Sequence, residues 1–411
     1  MRFSPSLALL GVHLGGVTAA AQPGLAMYPL SNDTQFAFIL AEKLSLANGG
    51  GAATGEILRA ASQIAPGDFE SFYREFKFLA DSIHAAGSGA KHPSARREAF
   101  FRSSAYYRAA DFFLHGNASD PRLETLWERF DIPVIFYPAP RSRGNCTAVR
   151  RPAFLVGNGY DGPQEDLYHS IGRQVHERGW NFATYEGPGQ STVRRQQGLG
   201  FRPDWWSVVT PVVDYLSGRA DVDTDRVALA GYSFAGTLAP RAASREHRLA
   251  AVLLIDGLYS LQAALRDQFP LELVQLFDSG NKTLFDAVVN EARANTSTVT
   301  QFRWLLDQGT WAFDTASPFE WFTQLGEYTL DGILPDVRCP VFVASGENDD
   351  TAPGQPEEVA KLLGSQGYYH LFKTDLGAGE HCQLGAEPQL AQVSLDWLEG
   401  IFEGIGQEGG S

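Results

Sequence analysis

Cysteine is scarce in this chain: Cys146, Cys339 and Cys382 are the only three among 411 residues. An odd number leaves at least one thiol unpaired and excludes a disulfide-stapled scaffold. Cys339 precedes one strand-like run and Cys382 lies beyond the far end of the next, so their separation is expected to exceed the roughly 7 Å that a bridge tolerates. Cys146 pairs only if the fold brings it near one of them. Basic residues are also few, 33 against 48 acidic ones for a formal charge of −15. That balance argues against a nucleic-acid surface and against an anionic membrane. Past residue 21 no run reaches the roughly 18 apolar residues of a membrane span, so the mature chain is expected to be soluble. Internal repeats are absent, and the only biased tract is a short Gly/Ser tail at 404–411. What is present is a 44% apolar chain, ample for a large core, with a surface suited to a small neutral or apolar ligand.

The first residues read as an export signal. Arg2 supplies the positive start, residues 7–17 are mostly apolar although His13 interrupts them, and Ala19-Ala20-Ala21 before Gln22 suits cleavage after a small residue. Sequons of the form Asn-x-Ser/Thr stand at Asn32, Asn117, Asn145, Asn281 and Asn295, five of the ten asparagines. Together they point to the secretory pathway, with these five as glycosylation candidates. The alternative is a cytoplasmic protein with an apolar N-terminus and unused sequons.

After the signal at 1–21, residues 22–131 carry helical spacing almost throughout. Phe69, Phe72, Phe76 and Leu79 recur at three- and four-residue steps, and with Phe101, Tyr106, Phe112 and Phe113 they are expected to fill a core. Stretches at 48–51 and 85–89 are expected to separate the helices. From Ile132 short apolar runs take over, at 132–137, 153–156, 182–185, 227–230, 251–255 and 341–344, most of them followed by helical segments. Strands apolar on both faces that alternate with helices imply a mostly parallel, doubly wound sheet, with ligand chemistry at its carboxyl edge. The sheet-forming part divides into 132–256 and 339–403. Between them, 257–338 is dense in large apolar residues such as Phe269, Trp304, Trp311 and Trp321, and is expected to form a helical cap, since a structureless loop of that length would be anomalous.

The run Arg226-Val-Ala-Leu-Ala-Gly231-Tyr-Ser233-Phe-Ala235-Gly236 is the signature of a nucleophile elbow, a strained strand-to-helix turn in which Gly231 and Ala235 must be small. Ser233 is the candidate nucleophile. A serine hydroxyl needs a base, and the base needs a carboxylate to fix its tautomer. Asp349 in Gly346-Glu347-Asn348-Asp349 and His381 in Gly377-Ala378-Gly379-Glu380-His381 supply both on later loops, in the order Ser, Asp, His that α/β-hydrolases use. Asp256 ranks second as the acid. Asp350 is adjacent to Asp349 but points elsewhere, and His370 reads as a packed or surface residue. An oxyanion needs two backbone N–H donors; Phe234 is one, and Tyr160 in Gly157-Asn158-Gly159-Tyr160-Asp161-Gly162 is the other, with Gly159 next. The same loop spells Gly-x-Gly-x-x-Gly, and Glu186 ends the following strand, so a dinucleotide-binding oxidoreductase is a competing reading. It leaves Ser233, Asp349 and His381 unused. No metal site is expected at Glu380, His381 and Cys382, because no second histidine stands at a ligand spacing.

Tyr185-Glu186-Gly187-Pro188-Gly189-Gln190, Thr210-Pro211-Val212-Val213-Asp214-Tyr215, Gly231-Tyr232-Ser233-Phe234, Leu238-Ala239-Pro240-Arg241-Ala242-Ala243, Gly377-Ala378-Gly379-Glu380-His381-Cys382 and, in the helical part, Arg108-Ala109-Ala110-Asp111-Phe112-Phe113 together resemble the fungal secondary-metabolite α/β-hydrolases. That group includes the hydrolase that shortens a heptaketide in melanin formation and hydrolases of fusarin and cytochalasan polyketide-peptide pathways. More distantly the chain is similar to a bacterial carbon-carbon bond hydrolase of nicotine breakdown. The resemblance runs from about Phe69 to the last helix. It implies an α/β-hydrolase fold with an N-terminal helical region and a helical cap insertion, a triad of Ser233, Asp349 and His381, and no cofactor. It also implies that the N-terminal helices join the cap over the site. Departures are Ala235 in place of glycine and the signal with its sequons. The expected reaction is cleavage of an ester, a lactone or a ketone-adjacent carbon-carbon bond in a bulky polyketide-derived intermediate. An acyltransferase or cyclase using the same acyl-enzyme is the alternative, and a noncatalytic binding protein a further one.

Overall fold

A computed structural model describes residues 27–117, 120–123, 134–140 and 149–408. The expected signal at 1–21, the sequon at Asn145 and Cys146 lie outside the described residues. Among the described residues seven strands, β1 (Val134–Tyr137), β2 (Arg151–Gly157), β3 (Asn181–Tyr185), β4 (Val222–Tyr232), β5 (Ala251–Ile255), β6 (Val341–Gly346) and β7 (Gly367–Phe372), form one sheet in the order β1-β3-β2-β4-β5-β6-β7. Only β1 runs antiparallel to its neighbour. The central strands β2 to β6 are buried along most of their length because helices cover both faces, which is why they read as unbroken apolar runs. β4 begins at Val222, five residues before its apolar stretch, because Val222 pairs with Arg151 beyond a register shift in β2.

Helices α1 (Thr34–Ser45), α2 (Thr54–Ala61), α3 (Phe69–Gly89) and α4 (Pro93–Asp111) stand among the described residues before the sheet. Asp33 and Asp68 cap α1 and α3 by accepting from the Phe36 and Glu70 amides. Their core is aromatic, with Phe36, Phe72 and Phe76 fully buried and Phe113 within 5 Å, ring centre to ring centre, of Phe36, Phe69 and Phe72. Phe101 is half-buried against Tyr168 and His169. The 85–89 stretch does not separate helices: it is the last turn of α3, where Gly87 lies against Ala99 and Phe100 of α4.

Within the sheet region, α5 (Arg173–Glu177) continues a wider π turn at Tyr168–Gly172, and α6 (Ser191–Gln197), α7 (Trp206–Ser217) and α8 (Ala235–Ala243) link the following strands. Over 257–338 the chain forms α9 (Leu261–Gln268), α10 (Leu271–Asp278), α11 (Lys282–Ala294), α12 (Thr300–Ala312) and α13 (Pro318–Leu325). Its Trp311, Trp321 and Phe322 join the core on the α8 face of the sheet. α14 (Gln355–Leu363) lies between β6 and β7, and α15 (Glu387–Glu408) covers the opposite face with Leu390, Leu395 and Leu398. Gly404 to Glu408, expected as the start of a flexible tail, belong to this helix.

Candidate active site

β4 ends at Tyr232, and the chain turns into α8 through Ser233 in the left-handed region, φ 55°. The Ser233 amide donates to Ile255 O of β5 at 2.9 Å, and its carbonyl accepts from Gly236 N at 2.8 Å. A Cβ on Gly231 would lie 2.0 Å from Ala235 O, so the crossing admits only glycine there. Ala235 is buried and accommodated. A left-handed serine held by hydrogen bonds on both sides is the local strain that functional turns carry.

The loop after β7 brings His381 Nε2 to 2.8 Å from Ser233 Oγ, and the loop after β6 brings Asp349 Oδ2 to 2.7 Å from His381 Nδ1. Asp349 Oδ1 accepts from Thr351 N at 2.9 Å, which fixes the carboxylate plane. Burial opposes ionisation of Asp349, but the neighbouring imidazole outweighs it and holds the carboxyl below its ordinary value. Burial likewise disfavours the imidazolium, and Asp349 overcomes this to raise His381 well above its usual range. Ser233, His381 and Asp349 are thus one hydrogen-bonded chain. Both imidazole nitrogens of His381 are taken by Ser233 and Asp349, and His370 lies on β7, stacked over Phe342 and edge-on to Phe372.

Asp256 has a different task from the one its position after β5 suggested. Its Oδ2 is 3.9 Å from His381 Nδ1, too long for a hydrogen bond. It is fully buried and instead accepts from Cys382 N at 2.5 Å and from Gln383 Nε2 at 3.0 and 3.1 Å. Cys382 and Gln383 both have positive φ, 56° and 53°. Asp256 therefore clamps a strained turn immediately behind His381. Burial pushes its carboxyl up to about 7, and Asp349 adds to the rise. Asp256, His381 and Cys382 place possible metal-ligand atoms within 4.8 Å of one another. Those atoms are engaged elsewhere: both His381 nitrogens and both Asp256 oxygens are hydrogen-bonded, and burial raises the Cys382 thiol to about 11.

Gly159 packs against the elbow so closely that a Cβ would lie 2.8 Å from Tyr232 O, 2.9 Å from Ser233 Cβ and 3.0 Å from Phe234 N. The Gly159 amide itself donates to Asn158 Oδ1 at 2.8 Å. No hydrogen bond from the Tyr160 or Phe234 amide occurs among the described residues. Gln190, from the Gly187-Pro188-Gly189 turn, straps the loop by donating to Asn158 O and Gly159 O. Glu186, the acid of the dinucleotide reading, is buried and accepts from Gln164 N and Thr192 N at 3.1 and 2.7 Å. It braces the protein's own backbone.

A buried relay behind Tyr160 has no local sequence signature. Gln308 Nε2 of α12 donates to Tyr160 O at 2.8 Å, and Gln308 Oε1 accepts from His115 Nδ1 at 2.5 Å. Arg195 of α6 donates to His115 Nε2 at 2.7 Å and to Asp111 of α4 at 2.5 Å. Trp311 stacks on His115 with ring centres 4.1 Å apart. Cap, N-terminal helices and sheet thus meet at the loop beside Ser233.

Ser233 opens into a cavity of about 270 Å³. Leu258, Leu261, Leu265 and Trp304 of the cap line it, as do Phe38 and Glu42 of α1. No helix among the described residues is long and apolar enough to cross a membrane.

No family model matches the chain. It is 30% identical to alpha/beta hydrolase psoB of Aspergillus fumigatus over 91% of this chain and 94% of the relative. Similarity extends to hydrolase acrC of Aspergillus aculeatus, 28% identical over 90% and 96%, and to 20-hydroxy-prefusarin hydrolase FUS2 of Gibberella moniliformis, 27% identical over 86% and 93%. Among solved structures, 2,6-dihydroxy-pseudo-oxynicotine hydrolase superposes with a TM-score of 0.63 over 88% of this chain and 95% of its own at 16% identity. AbyA5 gives 0.56 over 89% and 99%, also at 16% identity. With an α/β-hydrolase sheet, an elbow serine at its carboxyl edge and relatives that match nearly end to end, the chain belongs to the fungal secondary-metabolite α/β-hydrolases.

Proposed function

We propose that this protein is a serine-dependent hydrolase that cleaves an ester, a lactone or a ketone-adjacent carbon-carbon bond in a bulky, polyketide-derived intermediate. One observation carries the reading: His381 is bonded at once to Ser233 Oγ and to Asp349. In this mechanism His381 Nε2 takes the Ser233 proton as Oγ adds to the substrate carbonyl. The Phe234 and Tyr160 amides hold the resulting oxyanion. Collapse expels an alkoxide, or an enolate when the broken bond is carbon-carbon, and the leaving group takes the proton from His381. Water, deprotonated by His381, then releases the acyl group and restores Ser233. Asp349 keeps the imidazole oriented throughout and stabilises its cation. The apolar cap residues support a bulky apolar substrate.

Labelling with a fluorophosphonate tests the nucleophile: an adduct on Ser233 is expected, and folded protein that takes none would remove the mechanism. Comparing metabolites of a strain carrying Ser233→Ala with its parent identifies the accumulated substrate, and an added alcohol acceptor separates hydrolysis from acyl transfer. We further propose passage through the secretory pathway. Asn32, Asn117, Asn281 and Asn295 are all exposed, which supports use of their sequons. Digestion with an N-glycosidase should then shift the mass of protein isolated from its fungal host; an unshifted mass at all sites removes this reading.

A further inference from the structure

Gln190 stands immediately before α6 and is 2% exposed. The direction of its side-chain amide is fixed by its neighbours. Gly187 N can only donate, so the atom that accepts from it at 2.8 Å is Oε1. Asn158 O and Gly159 O can only accept, so the atom facing both is Nε2, which has one hydrogen for each and lies 3.3 Å from Gly159 O. The whole amide is thereby engaged with backbone, and Gln190 does not line the cavity at Ser233.

One of those bonds orients a peptide beside the nucleophile. Gly159 O and Tyr160 N–H belong to a single peptide unit, which is planar, and every peptide bond among the described residues is trans. The carbonyl and the N–H of such a unit point in opposite directions, so holding one aims the other. The sheet supplies the direction. β2 lies between β3 and β4; the loop after β2 carries Gly159, the turn after β3 carries Gln190, and Ser233 follows β4. Gly159 O turns to the β3 side to reach Gln190, so Tyr160 N–H turns to the β4 side, where Ser233 and Phe234 stand. The same peptide starts beside the Phe234 amide, since a Cβ on Gly159 would lie 3.0 Å from Phe234 N. Neither the Tyr160 nor the Phe234 amide has a hydrogen-bond partner among the described residues, and both residues line the cavity with Ser233. Backbone N–H groups away from bulk water are seldom left unpaired, so two of them beside one serine call for an oxygen.

Building on the serine-hydrolase reading, we propose that Gln190 is a positioning residue for the oxyanion: it holds the 159–160 peptide so that Tyr160 N–H faces the oxygen that becomes negative. Gln308 holds the next peptide through Tyr160 O at 2.8 Å. The planes on both sides of the Tyr160 Cα are therefore pinned before a substrate arrives. Donors fixed in advance stabilise a developing charge without having to reorganise. Releasing the Gly159 carbonyl frees the Tyr160 amide to turn away, and the cost falls on the charged intermediate and not on the bound ketone or ester that precedes it.

A pair of ketones separates this role from a contribution to stability. Ser233 Oγ adds to the carbonyl carbon of phenethyl trifluoromethyl ketone, its proton passes to His381 Nε2, and the carbonyl π pair moves to oxygen as the anion that the two amides would hold. Phenethyl methyl ketone binds without that addition. Calorimetry on the wild-type protein should find the trifluoromethyl ketone bound on the order of 10³-fold more tightly than the methyl ketone. Gln190→Met keeps the side-chain volume and should cut that advantage by about 100-fold, the loss expected from one oxyanion donor, while the methyl ketone binds as before. Gln190→Glu keeps the acceptor for Gly187 N and sets a carboxylate oxygen against the two carbonyls; it should act in the same way, and it stands if the methionine variant fails to fold. An advantage cut by less than about 10-fold in a folded variant would overturn the proposal. Wild-type protein that binds both ketones alike and takes no fluorophosphonate label would instead overturn the serine reading itself.

Discussion

Gly159→Ala isolates the oxyanion geometry with a single methyl group. Gly159 is not in the left-handed region, so alanine meets no backbone penalty and the effect is purely steric. The new Cβ would start 2.8 Å from Tyr232 O and 3.0 Å from Phe234 N, against an ordinary contact of at least 3.4 Å. Relief requires the loop and the elbow to part by about 0.6 Å, measured against that limit. Those backbones carry Tyr160 and Phe234, whose amides are the proposed oxyanion donors and, in that proposal, converge on one oxygen. A misplacement of about 1 Å at a reacting centre costs on the order of 10²-fold, so about 0.6 Å should lower kcat by roughly 10- to 50-fold with KM nearly unchanged. A chromogenic ester gives kcat and KM, fluorophosphonate labelling gives an independent rate at Ser233, and a melting curve verifies the fold. Wild-type kcat in a folded Gly159→Ala protein would refute the placement of the oxyanion site between these two amides.

Asp256→Asn should loosen the strained turn behind His381, because the carboxyl offers two oxygens to Cys382 N and Gln383 Nε2 whereas the amide offers one and turns an NH2 donor toward the Gln383 donor. Each left-handed residue costs roughly 1–2 kcal/mol and each bond to a buried carboxylate contributes about 1.5–3 kcal/mol, so kcat should fall about 10- to 100-fold. The Asp256 carboxyl sits near 7 against an ordinary 3.8. The folded state therefore holds its proton more tightly, and wild-type stability from this group is fully present below about 4 and declines as pH rises through 7. Urea unfolding should accordingly show the gap between wild type and Asp256→Asn narrowing from pH 5 to 8, and a gap that stays constant over that range would mean that Asp256 is already ionised in the fold. Gln308→Leu strips the partner from both Tyr160 O and His115 Nδ1. It should cost about 1–3 kcal/mol of stability and slow fluorophosphonate labelling about 10-fold; a stability loss with an unchanged labelling rate would make Gln308 structural only.

The strands and the elbow were legible because their constraints are local. A parallel strand buried on both faces has no polar positions to disguise it, and the Gly231 crossing leaves no alternative residue. Asp349 and His381 were legible from chain order and from glycines in their loops. Asp256, ranked second to Asp349 as the acid, gave no sign of its own task because its partners, Cys382 and Gln383, are over a hundred residues away, and a lone acid after a strand looks the same whether it orients an imidazole or clamps a turn. Gln308, His115 and Arg195 carry no pattern at all, since each lies on a separate element and only packing brings them together. The 85–89 stretch misled for the opposite reason. Small residues that punctuate a chain in isolation also permit close helix packing, and α4 supplied the neighbour that favoured the second outcome.

The bond from Asn48 Nδ2 to Glu387 Oε2 joins positions 339 residues apart, at 2.8 Å. On the ribosome, at roughly 5–20 residues per second, the N-terminal partner is exposed for on the order of tens of seconds before the other is made. Ser233, Asp349 and His381 all emerge earlier than Glu387. A nascent or truncated chain can therefore own every reacting group while α1, which walls their chamber, still lacks this anchor. Loss of the last helix should consequently yield a protein with its chemistry intact in sequence and its enclosure unsecured, and quality control during synthesis has to cover that interval.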